Sequence, residues 1–329
     1  MSSNFLLASL VVVAISFSQC TNDFIYPGLS VNSALTLESR SSMAACDDAE
    51  LISKNVISCG LTRAFYIQLP LGFHPDSTYP LLFAFHGHGS GTDKACAWKD
   101  RIGEWIDLNK FIGVYPRAYN DDYWYVGDPM PDAPITDVCF VNQIKEKMML
   151  EYHIDALRIY AMGTSNGGGL SLHLARSVDW LAAITTLAAS TWEGYSLAFV
   201  PVLPIMHVHG DLDGTVPYIG GYSAGIGLTF NSARQADSIW AVENNLCPIT
   251  PKNQTITVGA QFIYKTSWCS IKQKAGTWGG IDISPLALKK EVIHYRLHDI
   301  HHNLYSEISY DTKVKMNNDI FAFFKRHHL

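Results

Sequence analysis

Ser165 stands at the centre of Gly163-Thr164-Ser165-Asn166-Gly167, with a glycine two residues to either side. The run Ala156-Leu157-Arg158-Ile159-Tyr160-Ala161-Met162 before it is apolar and β-favouring, and Gly168 through Ala175 after it suits a helix. That is the pattern of a nucleophile elbow, a tight strand-to-helix turn whose glycines let the two elements close around a serine. A serine hydroxyl becomes a useful nucleophile only when a base takes its proton and an acid orients the base. In this arrangement the partners follow in the order serine, acid, histidine, and the chain supplies candidates in that order. Asp213 leaves the run Ile205-Met206-His207-Val208 in His209-Gly210-Asp211-Leu212-Asp213-Gly214 and is the expected acid. Asp211 is the competitor, with acceptance of turn amides as its alternative use. The base is expected from the cluster His298-Asp299-Ile300-His301-His302. Oxyanion donors are expected from the backbone N–H of His88, in His86-Gly87-His88-Gly89, and of Asn166 after the nucleophile. A metal site built from His294, His298, His301 and His302 is disfavoured, since no acidic or cysteine ligand joins them at zinc-like spacing. Neither a metal nor an organic cofactor is expected.

The elements that must carry these groups alternate in type. Ala64–Leu69, Leu81–Phe85, Phe111–Tyr115, Leu157–Met162, Leu181–Leu187, Ile205–Val208 and Val292–Leu297 have strand character, several as continuous apolar runs. Gln143–Tyr152 and Asn318–Arg326 have helix character. Such alternation predicts an α/β fold with a mostly parallel sheet covered by helices on both faces. Cys247 to Leu286 breaks the rhythm, being polar and rich in Gly, Thr and Trp, and is expected to form a small excursion under its own disulfide.

The chain has 329 residues, 48% hydrophobic and 16% charged, with a net charge of −6 and no basic stripe. A nucleic-acid partner is therefore not expected. Phe5 through Ile15 is apolar, too short for a comfortable membrane span, and is followed by small and polar residues at Ser16, Ser18 and Cys20. Residues 1–20 are accordingly expected to be a secretory signal, 21–50 an N-terminal extension and 51–329 one catalytic domain, giving an extracellular protein with no membrane partner. Six cysteines remain after the signal, and an even count in a secreted chain suggests disulfides. Nearest-neighbour pairing gives Cys46–Cys59, Cys96–Cys139 and Cys247–Cys269, the alternative for Cys96 and Cys139 being buried thiols. Asn253-Gln254-Thr255 is a glycosylation sequon, expected on a surface loop.

From about Cys59 to Arg326 the chain resembles the secreted esterases that include feruloyl esterases, acetylxylan esterases and polyhydroxybutyrate depolymerases. The resemblance rests on Gly60-Leu61-Thr62-Arg63, Pro80 through Gly91, Asp137-Val138-Cys139-Phe140, Asp155 through Tyr160, Ser165-Asn166-Gly167-Gly168, and His209-Gly210 with Asp213 and Val216-Pro217-Tyr218. It implies a single-domain α/β-hydrolase fold with Ser165, Asp213 and a C-terminal histidine as triad. The family's Gly-His-x-Trp-Pro aligns with His301-His302-Asn303-Leu304-Tyr305, which makes His302 the base and His301 its alternative. The glycine and Trp-Pro of that motif are absent here. The implied activity is hydrolysis of feruloyl (hydroxycinnamoyl) esters on plant cell-wall polysaccharide through an acyl-enzyme. Polyhydroxybutyrate depolymerisation and xylan deacetylation are the alternatives within the class, and Trp124, Trp192 and Trp278 are candidates for lining a cleft. A catalytically inactive hydrolase fold serving as a secreted binding protein is the rival from another class; all three triad types are nevertheless present in order.

Overall fold

The apolar runs pair into a ten-stranded sheet in the computed structural model, which describes residues 51–89, 95–119, 123–127, 137–195, 203–244, 246, 251–268 and 291–329. The described chain begins with a hairpin, β1 (Ile52–Ser58) and β2 (Leu61–Gln68). Cys59 and Gly60 close it, both at positive φ (49° and 79°), as a two-residue hairpin turn demands. There follow β3 (Tyr79–Phe85), α1 (Ala97–Asn109), β4 (Ile112–Pro116), α2 (Asp137–Glu151), β5 (Ile154–Thr164), α3 (Asn166–Ser177), β6 (Ala183–Leu187) and β7 (Ile205–Gly210). A small hairpin, β8 (Gly221–Ser223) with β9 (Leu228–Phe230), precedes α4 (Ala233–Glu243), β10 (Lys252–Val258), β11 (Gln261–Trp268), β12 (Val292–Leu297), α5 (Leu304–Glu307) and α6 (Tyr310–Arg326).

The sheet order is β1-β2-β4-β3-β5-β6-β7-β12-β11-β10. Its six central strands, β4 through β12, are parallel, and an antiparallel pair extends each edge. Every residue of β3, β4, β6 and β7 is buried, which explains why these strands read as unbroken apolar runs. Side chains alternate between two cores. Phe65, Leu81, Phe83 and Ile159 pack on one face with Phe140 and Ile144 of α2, Leu170 and Leu174 of α3 and Trp240 of α4. Tyr66, Leu82, Tyr160 and Met206 pack on the other with Trp98 and Ile102 of α1 and Ile320, Phe321 and Phe324 of α6. Ser309 caps α6, its Oγ accepting from Thr312 N–H at 3.2 Å.

Several expectations are corrected here. Cys59 and Cys139 carry thiols, and Cys96 is disulfide-bonded, so neither Cys46–Cys59 nor Cys96–Cys139 is the pairing present. The reason is topological: Cys96 lies at the start of α1 on one face of the sheet, whereas Cys139 is on α2 over the opposite face. Cys247 and Cys269, like residues 1–50 with the expected signal and Cys46, lie outside the described residues. Residues 252–268 do not form a separate excursion; β10 and β11 add to the main sheet beyond β12. Asn253 is exposed, but on edge strand β10 and not in a loop. No helix among the described residues is long and apolar enough to cross a membrane.

Candidate active site

The turn from β5 into α3 holds Ser165 at φ 53°, ψ −122°, a conformation costly for a residue with a side chain and sustained by its surroundings. Ser165 N–H donates to Leu187 O of β6 at 2.8 Å, tying the turn to the next strand. A Cβ on Gly163 would sit 2.1 Å from Gly167 O, and one on Gly167 would sit 2.2 Å from Phe85 O. The G-x-S-x-G spacing is therefore a packing requirement, since β3, β5 and α3 converge here too closely for side chains.

His302 reaches the serine from the loop after β12. Its Nε2 is 2.9 Å from Ser165 Oγ and its Nδ1 is 2.7 Å from Asp213 Oδ2. With Nδ1–H donating to the carboxylate, Nε2 presents a lone pair to the hydroxyl, the tautomer that a general base needs. Asp213 is saturated: Oδ1 accepts from Thr215 N–H and Val216 N–H, both at 2.9 Å, and Oδ2 also meets His209 Nε2 at 3.1 Å. Burial alone would raise this carboxyl, but the bonds from His209 and His302 outweigh it and hold Asp213 well below the ordinary carboxylate range.

The competitors take other places. Asp211 accepts from Asp299 N–H at 2.8 Å and meets His298 Nδ1 at 3.0 Å, so it clamps the histidine loop instead of completing the triad. His301 is exposed and paired with Glu307, Nδ1 to Oε2 at 2.9 Å. The four histidines of the disfavoured metal set are dispersed: His294 is fully buried on β12, His302 faces the serine, and His298 and His301 sit on the loop surface.

Gly87 and His88 line one cleft of about 240 Å³ with Ser165, His302, Arg101 and Tyr305. Asn166 is the first residue of α3, where backbone N–H groups have no intrahelical acceptor. Its side chain is fixed by Trp124, whose N–H donates to Oδ1 at 2.6 Å and whose carbonyl accepts from Nδ2 at 3.0 Å. Trp124 Nε1–H also donates to His86 O at 2.8 Å, so one buried indole braces both candidate donor segments. Residue patterning suggested a cleft-lining role for Trp124 and Trp192, but both are buried; Trp278 lies outside the described residues. A second brace is a buried ion pair between two of the motif segments. Arg63 Nη1–H donates to Asp137 Oδ1 at 2.6 Å, and Asp137 Oδ2 accepts from Tyr125 N–H at 2.7 Å. A larger cleft, about 390 Å³, opens over β10–β12 around Tyr218, Arg234 and Arg296.

No protein-family model matches the chain. It is 30% identical over 188 residues to a bifunctional acetylxylan esterase/xylanase of Neocallimastix patriciarum, covering 54% of this chain and 26% of that protein. It is 30% identical over 210 residues to feruloyl esterase B of Piromyces equi, covering 59% and 37% respectively. A probable feruloyl esterase C of Aspergillus clavatus is 26% identical over 66% of this chain and 79% of its own length. The first two relatives are thus matched over well under half their length. Among solved structures, an acetyl xylan esterase from Aspergillus awamori superposes with a TM-score of 0.52 at 14% identity, over 83% of this chain and 99% of that one. A ferulic acid esterase of Anaeromyces mucronatus gives 0.50 at 14% identity over 84% and 91%. The chain has the α/β-hydrolase fold and is similar in sequence to feruloyl and acetylxylan esterases.

Proposed function

We propose that the protein is a serine esterase that hydrolyses carboxylic esters through an acyl-enzyme. The observation that carries this reading is the continuous chain from Ser165 Oγ through His302 to Asp213, on a serine held in elbow geometry. Ser165 Oγ attacks the ester carbonyl while His302 Nε2 takes its proton. The oxyanion that forms is met by the N–H groups of His88 and Asn166. Collapse of the tetrahedral species releases the alcohol, which leaves with the proton from His302. Water, deprotonated by the same nitrogen, then attacks the acyl-enzyme and frees the carboxylic acid. Asp213 stays ionised throughout and stabilises the imidazolium. No step requires a metal or organic cofactor.

For the substrate we propose feruloyl esters on plant cell-wall polysaccharide, acted on outside the cell. The support is that relatives bear the name feruloyl esterase and that the chain opens with a signal-like apolar run. Deacetylation of xylan is the second reading, favoured by the polar lining that His88, Arg101 and Asn303 give the cleft and by the name of one relative. Purified protein assayed on methyl ferulate, acetylated xylan and polyhydroxybutyrate separates these readings, and activity on the polyester alone would overturn the first. Ser165→Ala should lower kcat by at least ~10³-fold with an unchanged circular-dichroism spectrum, and His302→Ala comparably. His301→Ala should stay within about twofold, because that ring points to Glu307. A fluorophosphonate probe should label Ser165; no labelling of folded protein would favour the inactive binding protein instead.

A further inference from the structure

Behind the triad, hydrogen bonds continue into the core, and their donor and acceptor roles are fixed from one end. His209 Nε2 faces two acceptors, Asp213 Oδ2 at 3.1 Å and Val216 O at 2.9 Å, so it must carry the proton. A neutral His209 then has its lone pair on Nδ1, 3.0 Å from His207 Nε2, which must therefore be the donor of that pair. A neutral His207 is left with a lone pair on Nδ1, pointing at Asp237 Oδ1 only 2.9 Å away. Lone pair faces lone pair unless a positive charge lies between them. On the other side of the same carboxylate, His294 Nδ1 is 2.7 Å from Asp237 Oδ2, yet neither atom makes a hydrogen bond of acceptable geometry. All three side chains are 3% exposed or less. Buried polar groups without partners are costly and call for an explanation.

The residues meet because the fold brings them together. His207 and His294 are register partners on the parallel strands β7 and β12, and Asp237 points down at both from α4. We propose that His207 Nδ1, His294 Nδ1 and the Asp237 carboxylate form a buried site for a divalent zinc-type cation. Two imidazoles and a carboxylate are ordinary zinc ligands, and the ion supplies the charge that the hydrogen-bond roles demand. A cavity of about 10 Å³ lies beside the cluster, bordered by Thr186, His207 and Asp237, at the lower limit of the space that one water needs. Tetrahedral bond lengths require the ligand atoms to move apart by roughly 0.5 Å. The remaining nitrogens are then used in the usual outer-shell manner: His294 Nε2 pairs with Tyr218 OH at 3.0 Å, and His207 Nε2–H donates to His209. Through His209 the ion would fix the orientation of Asp213, acting in a positioning and structural capacity. The site stands or falls independently of whether Ser165 is the nucleophile.

The test is metal analysis of the full secreted chain, expressed without a polyhistidine tag and dialysed against metal-free buffer. About one zinc per chain is expected, and stripping it with dipicolinate should lower Tm by about 5 °C or more, reversed by zinc but not by magnesium. Asp237→Asn and His294→Gln should lose the zinc, whereas His298→Gln, at the partly exposed Asp211–His298–Asp299 cluster, should retain it. Less than about 0.1 zinc per wild-type chain, with a Tm indifferent to both chelator and added zinc, would overturn the proposal and leave a protonated His207 as the bridging charge. Because the wild-type measurements suffice, misfolding of a variant does not blunt the test.

Discussion

Ser165 is an ordinary residue made unusual by its neighbours. Its backbone lies at positive φ, its N–H is anchored to Leu187 O, and its hydroxyl faces an imidazole whose tautomer Asp213 dictates. Support for the other side of the site runs through charge. Arg63 and Asp137 form an ion pair with side chains 3% and 4% exposed. Burial raises the Asp137 carboxyl, and Arg63, the nearest opposing influence, lowers it. Removing one partner strands a buried charge, so Asp137→Ala is expected to cost ~3–5 kcal/mol in urea unfolding. It should also loosen the Tyr125 N–H contact that steadies Trp124 and, through it, Asn166. A cost under ~1 kcal/mol would show that the pair is no brace.

At the scale of elements, the triad depends on how β7 and the loop after β12 fit together. β7 and β12 pair in parallel, and Leu212 N–H donates to Ile300 O at 3.0 Å just beyond them. A Cβ on Gly210 would come within 2.1 Å of Ile300 O and 2.7 Å of His301 O, a backbone clash that no rotamer relieves. Gly210→Ala should therefore push the His302 loop from Asp213 and lower kcat by about 10²-fold or more. Near wild-type kcat in a folded variant would show that the contact is dispensable. The edge strands β10 and β11 were the elements least visible in the residue pattern, because β10 is largely exposed and lacks a clean apolar alternation. Their polar, irregular pattern reads as an excursion, yet they continue the main sheet. The Cys96–Cys139 pairing fails for a related reason: spacing along the chain says nothing about which face of the sheet a helix covers.

For the whole molecule, two cores on either side of one sheet leave several histidines shielded from water. His173 on α3 is half-buried, and burial, reinforced by Arg176, pushes its imidazole down to about 4. An unfolded histidine titrates at its ordinary value near 6.5. Between those values the unfolded chain binds more protons than the folded one, so stability rises with pH across that window and is lost as pH falls. Thermal unfolding should accordingly show Tm dropping from pH 7 to pH 4.5, with a shallower drop in His173→Gln. Parallel profiles for the two proteins would remove His173 as a contributor.

The chemistry-bearing residues were legible in the chain because an elbow is a local device. Gly163, Ser165 and Gly167 are adjacent in sequence, and the apolar runs before each turn betray buried parallel strands. The order serine, acid, histidine was legible for the same reason, each partner following its own strand. What only the tertiary structure decided is everything that depends on which strand ends lie side by side. It separated His302 from His301 and Asp213 from Asp211, placed Cys96 and Cys139 on opposite faces, and turned Trp124 and Asp137 into braces. It also brought His207, Asp237 and His294 into one buried cluster from three separate elements. Contacts between residues 30 to 140 positions apart are set by sheet order and register, and neither is written in any short stretch of chain.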